Sequence, residues 1–581
     1  AAMAHHAPAA AGGAAGGAGA EPAPAAVKYL VLTGGTVSGL GKCTALSSMG
    51  VVLRSHGLRV TAIKIDPYLN LNAGTMNPFE HGEVFVLQDG GEVDLDLGNY
   101  ERFLDLTLTS SHHMTSGKIF EQVIKRERTG HYLGKTVQMV PHVTDAIQDW
   151  IADVASKPVD ATGLPPEVCL IELGGTVGDM ETAMYLEALQ QMMFRVGPAN
   201  FCVAHVSMAP AMGSTGEQKT KPTQHSVKSL RAAGLRPDLL LCRSEQPLEE
   251  ATRQKLSVFC QVDMANIFSL QDLSNIYRVP LALAEQDIGG ALCRRLGLPD
   301  AALELTLGLS EAAFQAASLE AHIRLADWRV LADRVDTCGD EVIVAIVGKY
   351  TGLHDAYISV IKALKHASME AGLHLSVEWV DSADLEPNAQ LLDSRRYDAA
   401  WWRLKSAHGV VVPGGFGDRG VEGKVRAANY CRTSNTPYLG IAGGLHCAVI
   451  EFARAELGWE SANSTEFEEA TTRPVVVFMP EASATVMGGT MRLGSRATVL
   501  ADESGDSMAY KLYAGRPVIY ERFRHRYEVN LQCVPTLEAK GLSFTGKDEK
   551  GQRMEICELR THPFFFCTQF YPELQSRPAA P

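Results

Sequence analysis

Apolar residues in this chain gather in short continuous runs separated by longer segments of mixed polarity. Lys28–Thr33 (KYLVLT) reads as a buried strand. A Gly-rich turn follows, and the spacing predicts a helix from about Cys43 to Ser55, closed by Gly57. Val60–Ile65 is the next apolar run, completing a strand-helix-strand unit. Such a crossover returns the chain in the same direction and implies a parallel sheet. Val168–Leu173, Phe201–Ser207 and Leu239–Cys242 are apolar almost throughout, as strands covered on both faces are. Residues 290–340 change character: they are rich in Ala and Leu and read as helix. A second alternating block follows, with strands at Val342–Val347, Val410–Pro413, Tyr438–Ile441 and Val475–Phe478. No repeat at a solenoid period is visible. The pattern divides the chain into a tail (1–26), a first α/β domain (27–290), a helical linker (291–340), a second α/β domain (341–575) and a short C-terminal tail (576–581).

The length of 581 residues agrees with two domains, since one core stops growing well before that. No apolar run approaches the roughly 20 residues needed to cross a bilayer. The net charge of −14 argues against nonspecific binding to nucleic acid or to anionic membrane, but leaves room for a local phosphate site. The twelve cysteines form no Cys-x-x-Cys pair and no zinc spacing, which suits reduced thiols in the cytoplasm. Residues 1–26 are nearly all Ala, Gly and Pro, with Glu21 their one charge. This composition is expected to be disordered, and it lacks the arginines or apolar core of a targeting segment.

Between the first strand and helix lies Gly34-Gly35-Thr36-Val37-Ser38-Gly39-Leu40-Gly41-Lys42-Cys43. Glycines let backbone N–H groups approach phosphate oxygens, the helix start adds positive potential, and a lysine reaches the outer phosphates. The strict phosphate-loop spacing is one residue shorter and ends in Ser or Thr after the lysine, so a plain Gly-rich turn with a surface lysine is the alternative. Lys64 and Asp66 end the second strand, at the sheet edge where open α/β folds bind ligands. Asp94, Asp96 and Glu172 offer hard oxygens suited to Mg²⁺, or are solvated surface charges. Lys219-Thr220-Lys221-Pro222-Thr223-Gln224 groups two lysines and an amide, which suits a second polyphosphate or a simple charged loop.

The stretches HGEVFVLQDGGEVDLDLGNYERF (81–103), IELGGTVGDME (171–181), STGEQKTKPTQHSVKSLR (214–231), PGGFGDRG (413–420), ANSTEF (462–467) and RHRYEVN (524–530) closely resemble the signature segments of the CTP synthase family. The resemblance covers roughly residues 28–578. It implies an α/β protein: a P-loop-type doubly wound parallel sheet in an amido-ligase domain, and a flavodoxin-like class I glutamine amidotransferase domain. The implied reaction converts UTP to CTP. ATP phosphorylates the uracil O4, and ammonia from glutamine displaces the phosphate. The resemblance places ATP on Gly39, Leu40, Gly41, Lys42, Cys43, Thr44 and Asp96, with the adenine at Gln271-Asp272-Leu273. Lys64 falls near the transferred phosphoryl group, and Asp96 and Glu172 match the Mg²⁺ ligands. UTP or CTP would meet Ser38, Asp179, Met180, Glu181, Lys219, Thr220, Lys221, Pro222, Thr223, Gln224 and Lys255. GTP is the implied activator and a homotetramer the implied assembly, with filaments a further possibility in the family. One departure is Cys43, where the family has Gly.

The second domain departs further. Class I amidotransferases attack glutamine with a cysteine on a tight strand-to-helix turn, assisted by His and Glu. Here the turn reads Gly440-Ile441-Ala442-Gly443-Gly444-Leu445-His446, and the nucleophile position is Ala442. The late His-Pro-Glu run reads Tyr571-Pro572-Glu573, which keeps Glu573 but replaces the base by tyrosine, whose unperturbed pKa is about 10. Cys447 lies inside the following helix and is expected to face away. Gly415, Gly443, Gly444, His446, Glu466 and Arg526 stand at positions of the glutamine pocket. Phe523 replaces a family histidine, and Asp418 places a carboxylate near the GTP region. Two readings follow. One is an ammonia-using CTP synthase without glutaminase activity. The other is a catalytically inactive homologue serving as a structural or regulatory subunit, co-assembling with an active paralogue.

Overall fold

The computed structural model describes residues 27–35, 37–212, 216–298, 325–479, 491–500 and 505–579. The tail expected over 1–26 and residues 299–324 of the expected linker lie outside them. The first domain is built on strands β1 (Lys28–Gly34), β2 (Val60–Asp66), β3 (His113–Thr115), β4 (Val168–Leu173), β5 (Phe201–Met208), β6 (Leu239–Ser244) and β7 (Ile267–Gln271). Their order is β7-β6-β5-β1-β4-β2-β3, and every pairing is parallel. Order reverses around β1, so the loop leaving β1 opens at the carboxyl edge in the middle of the sheet, where α/β folds bind ligands.

Helix α1 (Lys42–Ser55) follows that loop. It buries Leu46, Met49, Val52 and Leu53 against the sheet and against helix α2 (Leu95–Leu104). Each such side chain contributes about 1.5–3 kcal/mol by leaving water. Its C-terminal turn ends with Gly57 at φ 87°, as the sequence predicts.

The second domain carries β8 (Glu341–Gly348), β9 (His374–Asp381), β10 (Gly409–Val412), β11 (Tyr438–Ile441), β12 (Arg492–Leu500), β13 (Val518–His525), β14 (Leu542–Lys547), β15 (Met554–Leu559) and β16 (Phe565–Thr568). Their order is β9-β8-β10-β11-β16-β15-β14-β12-β13. The half from β9 to β16 is parallel, and the remainder is added antiparallel. The strand expected at Val475–Phe478 runs over Arg473–Phe478 and pairs in a separate small sheet.

Two expected boundaries shift. Helix α3 (Ile288–Leu296) buries Ile288, Leu292 and Leu296 in the core around α1, so the first domain runs past 290 to about Leu298. The expected C-terminal tail is also docked: Ser576 Oγ meets His366 Nδ1 at 2.7 Å, and Arg577 donates to Glu101 Oε2 at 3.2 Å.

Charged contacts join the domains. Arg522, on β13, is fully buried and donates to both carboxylate oxygens of Glu101 on α2, at 2.8 and 3.1 Å. Arg524 pairs with Glu92 at 2.9 Å, and Glu83 accepts from the backbone and hydroxyl of Ser359 at 3.0 and 2.5 Å. Removing one partner of a buried pair strands the other charge, so Glu101→Ala is expected to lower stability by about 3–5 kcal/mol. Urea unfolding followed by far-ultraviolet dichroism measures it, and a midpoint equal to the parent's would count against the role given to this contact.

Candidate functional site

The loop between β1 and α1 turns on Gly41, whose φ of 78° is a left-handed conformation that glycine takes at little cost. It ends at the start of α1, where free backbone N–H groups face outward. Lys42 spans the loop and donates to the Gly175 carbonyl at 2.7 Å, and burial draws its ammonium below the ordinary lysine range.

Beside it Lys64 stands at the centre of a buried charge cluster. On β2 it is in register with Glu172 on β4 and with His113 on β3, so three strands deliver their side chains to one point. Lys64 Nζ donates to Glu172 Oε1 at 2.8 Å and to Asp96, with Asp66 at 3.9 Å. Burial opposes its charge, but Asp96, Glu172 and Asp66 outweigh burial and hold it well above the ordinary value. Burial pushes Glu172 up, only partly offset by Lys64, and Tyr100 donates to its other oxygen. Asp66 is held low because Lys64 and His113 outweigh its burial. Asp94 does not join the ligand set: its side chain caps α2 by accepting from the Asp96 N–H at 3.0 Å.

Cys43 adds its sulfur to this cluster. Sγ accepts from Asn99 Nδ2 at 3.3 Å, and its ligand atom lies within 4.8 Å of those of Asp96 and Glu172. Burial pushes the thiol well up. Two hard carboxylates beside a phosphate loop, one of them strained toward protonation by burial, fit a divalent cation, which would relieve that cost.

The same edge opens into a cavity of about 770 Å³ lined by Gly39, Leu40, Gly41 and Thr44 and by Gln271, Asp272 and Leu273. The structure thus brings the expected phosphate loop and the expected adenine segment together. Sequence reasoning missed Arg243, which pairs with Asp272, and the lysines 362 and 365 that line the far wall. Nothing in their local sequence marks them, because they belong to strands and helices elsewhere. Of the expected UTP residues, Ser38, Asp179, Met180, Glu181, Lys221 and Lys255 are exposed. Lys219 pairs with Glu217 at 2.6 Å. Thr223 is instead buried and donates to the Met208 carbonyl at 2.9 Å, and Thr220 is buried and accepts from Gln224 at 3.0 Å. These two shape the loop rather than face a ligand.

In the second domain β11 ends at a sharp turn into helix α4 (Gly443–Leu457). Ala442 sits on the turn at φ 50°, ψ −102°, with its N–H donating to Thr568 O at 2.6 Å. A nucleophile elbow has this strain, and here it persists without a nucleophile. Gly444 is required because a side chain there would collide with the Val412 carbonyl as α4 crosses β10. Ala442 is buried in an apolar cluster with Ile346, Val411 and Ile441, and the Tyr571 ring packs against the same cluster. Burial pushes the Tyr571 phenol up, away from any role as a base. Glu573 is also buried and pushed well up, by burial and then by Glu83, and its Oε2 has no hydrogen-bond partner. Cys447 is buried inside α4, and burial pushes its thiol up to about 11.

A cavity of about 1450 Å³ lies between the domains, lined by Gly415, Glu466, Arg526, Tyr571 and Glu573 and by Gly74–Met76 and Glu83 of the first domain. Gly443, Gly444 and His446, expected in the glutamine pocket, do not line it. His446 turns inward, with Nε2 2.9 Å from Gln569 Oε1, and burial draws its pKa down to about 4. Two buried lysines escaped sequence reasoning: Lys424 donates to Pro413 O at 2.7 Å and Lys349 to Phe416 O at 3.2 Å, pinning the loop over the elbow. Each follows a glycine, a weak signal. Phe523 is fully buried with Phe570, under Arg492, and serves packing.

Comparison with known proteins places this geometry. Residues 28–298 match the family model described as CTP synthase N-terminus, and residues 353–581 match glutamine amidotransferase class-I. The chain is 54% identical to a CTP synthase of Dictyostelium discoideum, covering 96% of this chain and 97% of that protein. It is 51% identical to CTP synthase 1 of Homo sapiens, covering 96% and 91% respectively. A solved glutaminase domain of Trypanosoma brucei CTPS with bound acivicin aligns at 37% identity over 41% of this chain and 89% of that chain, with a TM-score of 0.38.

Two predictions arise from the elbow. Ala442→Gly relieves the positive φ and should raise stability by about 1 kcal/mol in denaturant unfolding, the strain relief exceeding the entropy that glycine gains in the unfolded chain. Buried His446 has a folded pKa near 4 against 6.5 for the free side chain, so the unfolded chain binds its proton more readily. Its contribution is full above pH 6.5 and is lost as pH falls toward 4; in urea titrations His446→Gln should flatten the slope of stability against pH across that window.

Proposed function

Because the chain belongs to the CTP synthase family, we propose that it aminates UTP to CTP with ATP, taking free ammonia rather than glutamine as its nitrogen source. The observation that carries this reading is a contrast between the two sites. Lys64, Asp96 and Glu172 are assembled beside the phosphate loop, whereas the elbow holds an alanine methyl buried in an apolar cluster against which Tyr571 also packs.

In this reading the ATP γ-phosphoryl group passes to the uracil O4, ammonia adds at C4, and inorganic phosphate leaves with O4. Phosphoryl transfer requires positioning and neutralisation of shifting charge more than covalent help from the protein. Lys42, at the mouth of α1, and Lys64, buried at the sheet edge, supply that neutralisation. Asp96 and Glu172 would hold Mg²⁺, which would supply positive charge to offset that of the phosphates. Lys219, Lys221, Gln224 and Lys255 are proposed to hold the UTP polyphosphate, and Asp179-Met180-Glu181 the pyrimidine end. The exposed Met180 and Phe194, at 90% and 91%, suit burial in a homotetramer formed through the first domain, in filaments of such tetramers, or in co-assembly with an active paralogue. No helix among the described residues is long and apolar enough to cross a membrane; the expected cytoplasmic setting stays part of this proposal.

The test has two arms. With UTP, MgATP and ammonium the purified chain should form CTP, and Lys42→Ala should abolish it without unfolding the protein. With glutamine in place of ammonium, with or without GTP, no glutamate should be released, because loss of a triad nucleophile removes on the order of 10⁶ in rate. Ala442→Cys combined with Tyr571→His should recover measurable glutaminase activity, and either change alone far less. Glutamate release by the parent chain at enzymatic rates overturns the nitrogen assignment. Absence of CTP with ammonium overturns the ligase assignment and favours a nucleotide-binding subunit.

A further inference from the structure

The cavity that joins the phosphate loop to Gln271–Leu273 is not closed by the first domain. Its far wall is helix α5 (Ile358–Glu370) of the second domain, which contributes Lys362, Lys365, Ser368 and Met369. The helix is held in register with the adenine segment: Tyr277, from the cavity's near wall, places its hydroxyl 3.0 Å from His366 Nε2, one residue beyond Lys365.

Charge in this cavity is unbalanced. Asp272 is paired with Arg243, and Asp336 with Arg278. Lys362 and Lys365 have no carboxylate within ion-pair distance among the described residues, and both line the cavity that Gly41 and Thr44 line from the start of α1. Lys362 is half-buried, and burial together with Arg102 and Lys365 draws its pKa down to about 7. A desolvated cation beside other cations is costly unless an anion arrives. The volume of about 770 Å³ is that of a site for a ligand of nucleotide size.

We infer that Lys362 and Lys365 form a cationic wall, supplied by the amidotransferase-like domain, that binds the polyphosphate of the nucleotide seated on Gly39–Thr44. The inference rests on the nucleotide-site reading above and assigns the second domain a task independent of glutamine chemistry. That domain completes the ATP site.

Isothermal titration of the full chain with MgATP and with adenosine tests it. Lys362→Gln with Lys365→Gln should weaken MgATP by about tenfold or more, the scale of lost charge-assisted hydrogen bonds. Adenosine, which lacks phosphate, should bind within about twofold of the parent, and Lys362→Arg should keep MgATP affinity. Equal weakening of both ligands would assign the lysines to packing and overturn the proposal, as would unchanged MgATP affinity in the double variant. If adenosine binding is retained by the parent but MgATP gains nothing over it, the phosphate-loop reading itself fails. Hydrogen exchange gives a second readout that survives a poorly folding variant: in the parent, MgATP should protect residues 358–370, and adenosine should not.

Discussion

The contact between Arg522 and Glu101 organises the whole molecule. Both side chains are out of water, and each charge is tolerable there only because the other, with hydrogen bonds from neighbouring groups, satisfies it. Glu101 lies on α2, the same helix that presents Asp96 at its first turn to Lys64. A strand of the second domain therefore fixes the helix that supplies a carboxylate to the first domain's charge cluster. Arg577, Arg102, Ser359 and Glu83 extend the same polar seam. The domains form one electrostatic unit, in which the charge cluster of the first domain depends on a strand of the second.

The second domain separates backbone geometry from side-chain chemistry. The elbow keeps its backbone because β11, β16 and α4 jointly impose it: Ala442 N–H is tied to Thr568, and Gly444 lets the helix cross Val412. Nothing in this scaffold requires a sulfur. The side chains around it are packed, with Tyr571 laid against the cluster that contains Ala442, Phe523 against Phe570, and His446 turned to Gln569. Phe523 and His446 are buried, and Glu573 is a buried acid two residues beyond Tyr571.

The central strands were legible because each is a continuous apolar run between turn residues, and the observed ends differ from expectation by a residue or two. The phosphate loop was legible because glycine and lysine at a strand-to-helix junction have few other uses. The edge of the first domain was not, since an Ala/Leu-rich segment looks the same whether it packs on its own domain, as Ile288–Leu296 does, or bridges two. His446 was misread for a related reason: position on an elbow helix does not fix which way a ring turns, and Gln569 across the sheet decides it. Lys362 and Lys365 were invisible because the cavity they line is completed by residues far earlier in the chain.

The apolar cluster around Ala442 and Tyr571 also couples the two positions. A cysteine placed at 442 would have no imidazole to take its proton, and a histidine placed at 571 would have no thiol to serve. Each change therefore gives little by itself, and most of its effect waits on the other. Two positions that share one cluster act as one, so a change at either is judged by what the other already holds.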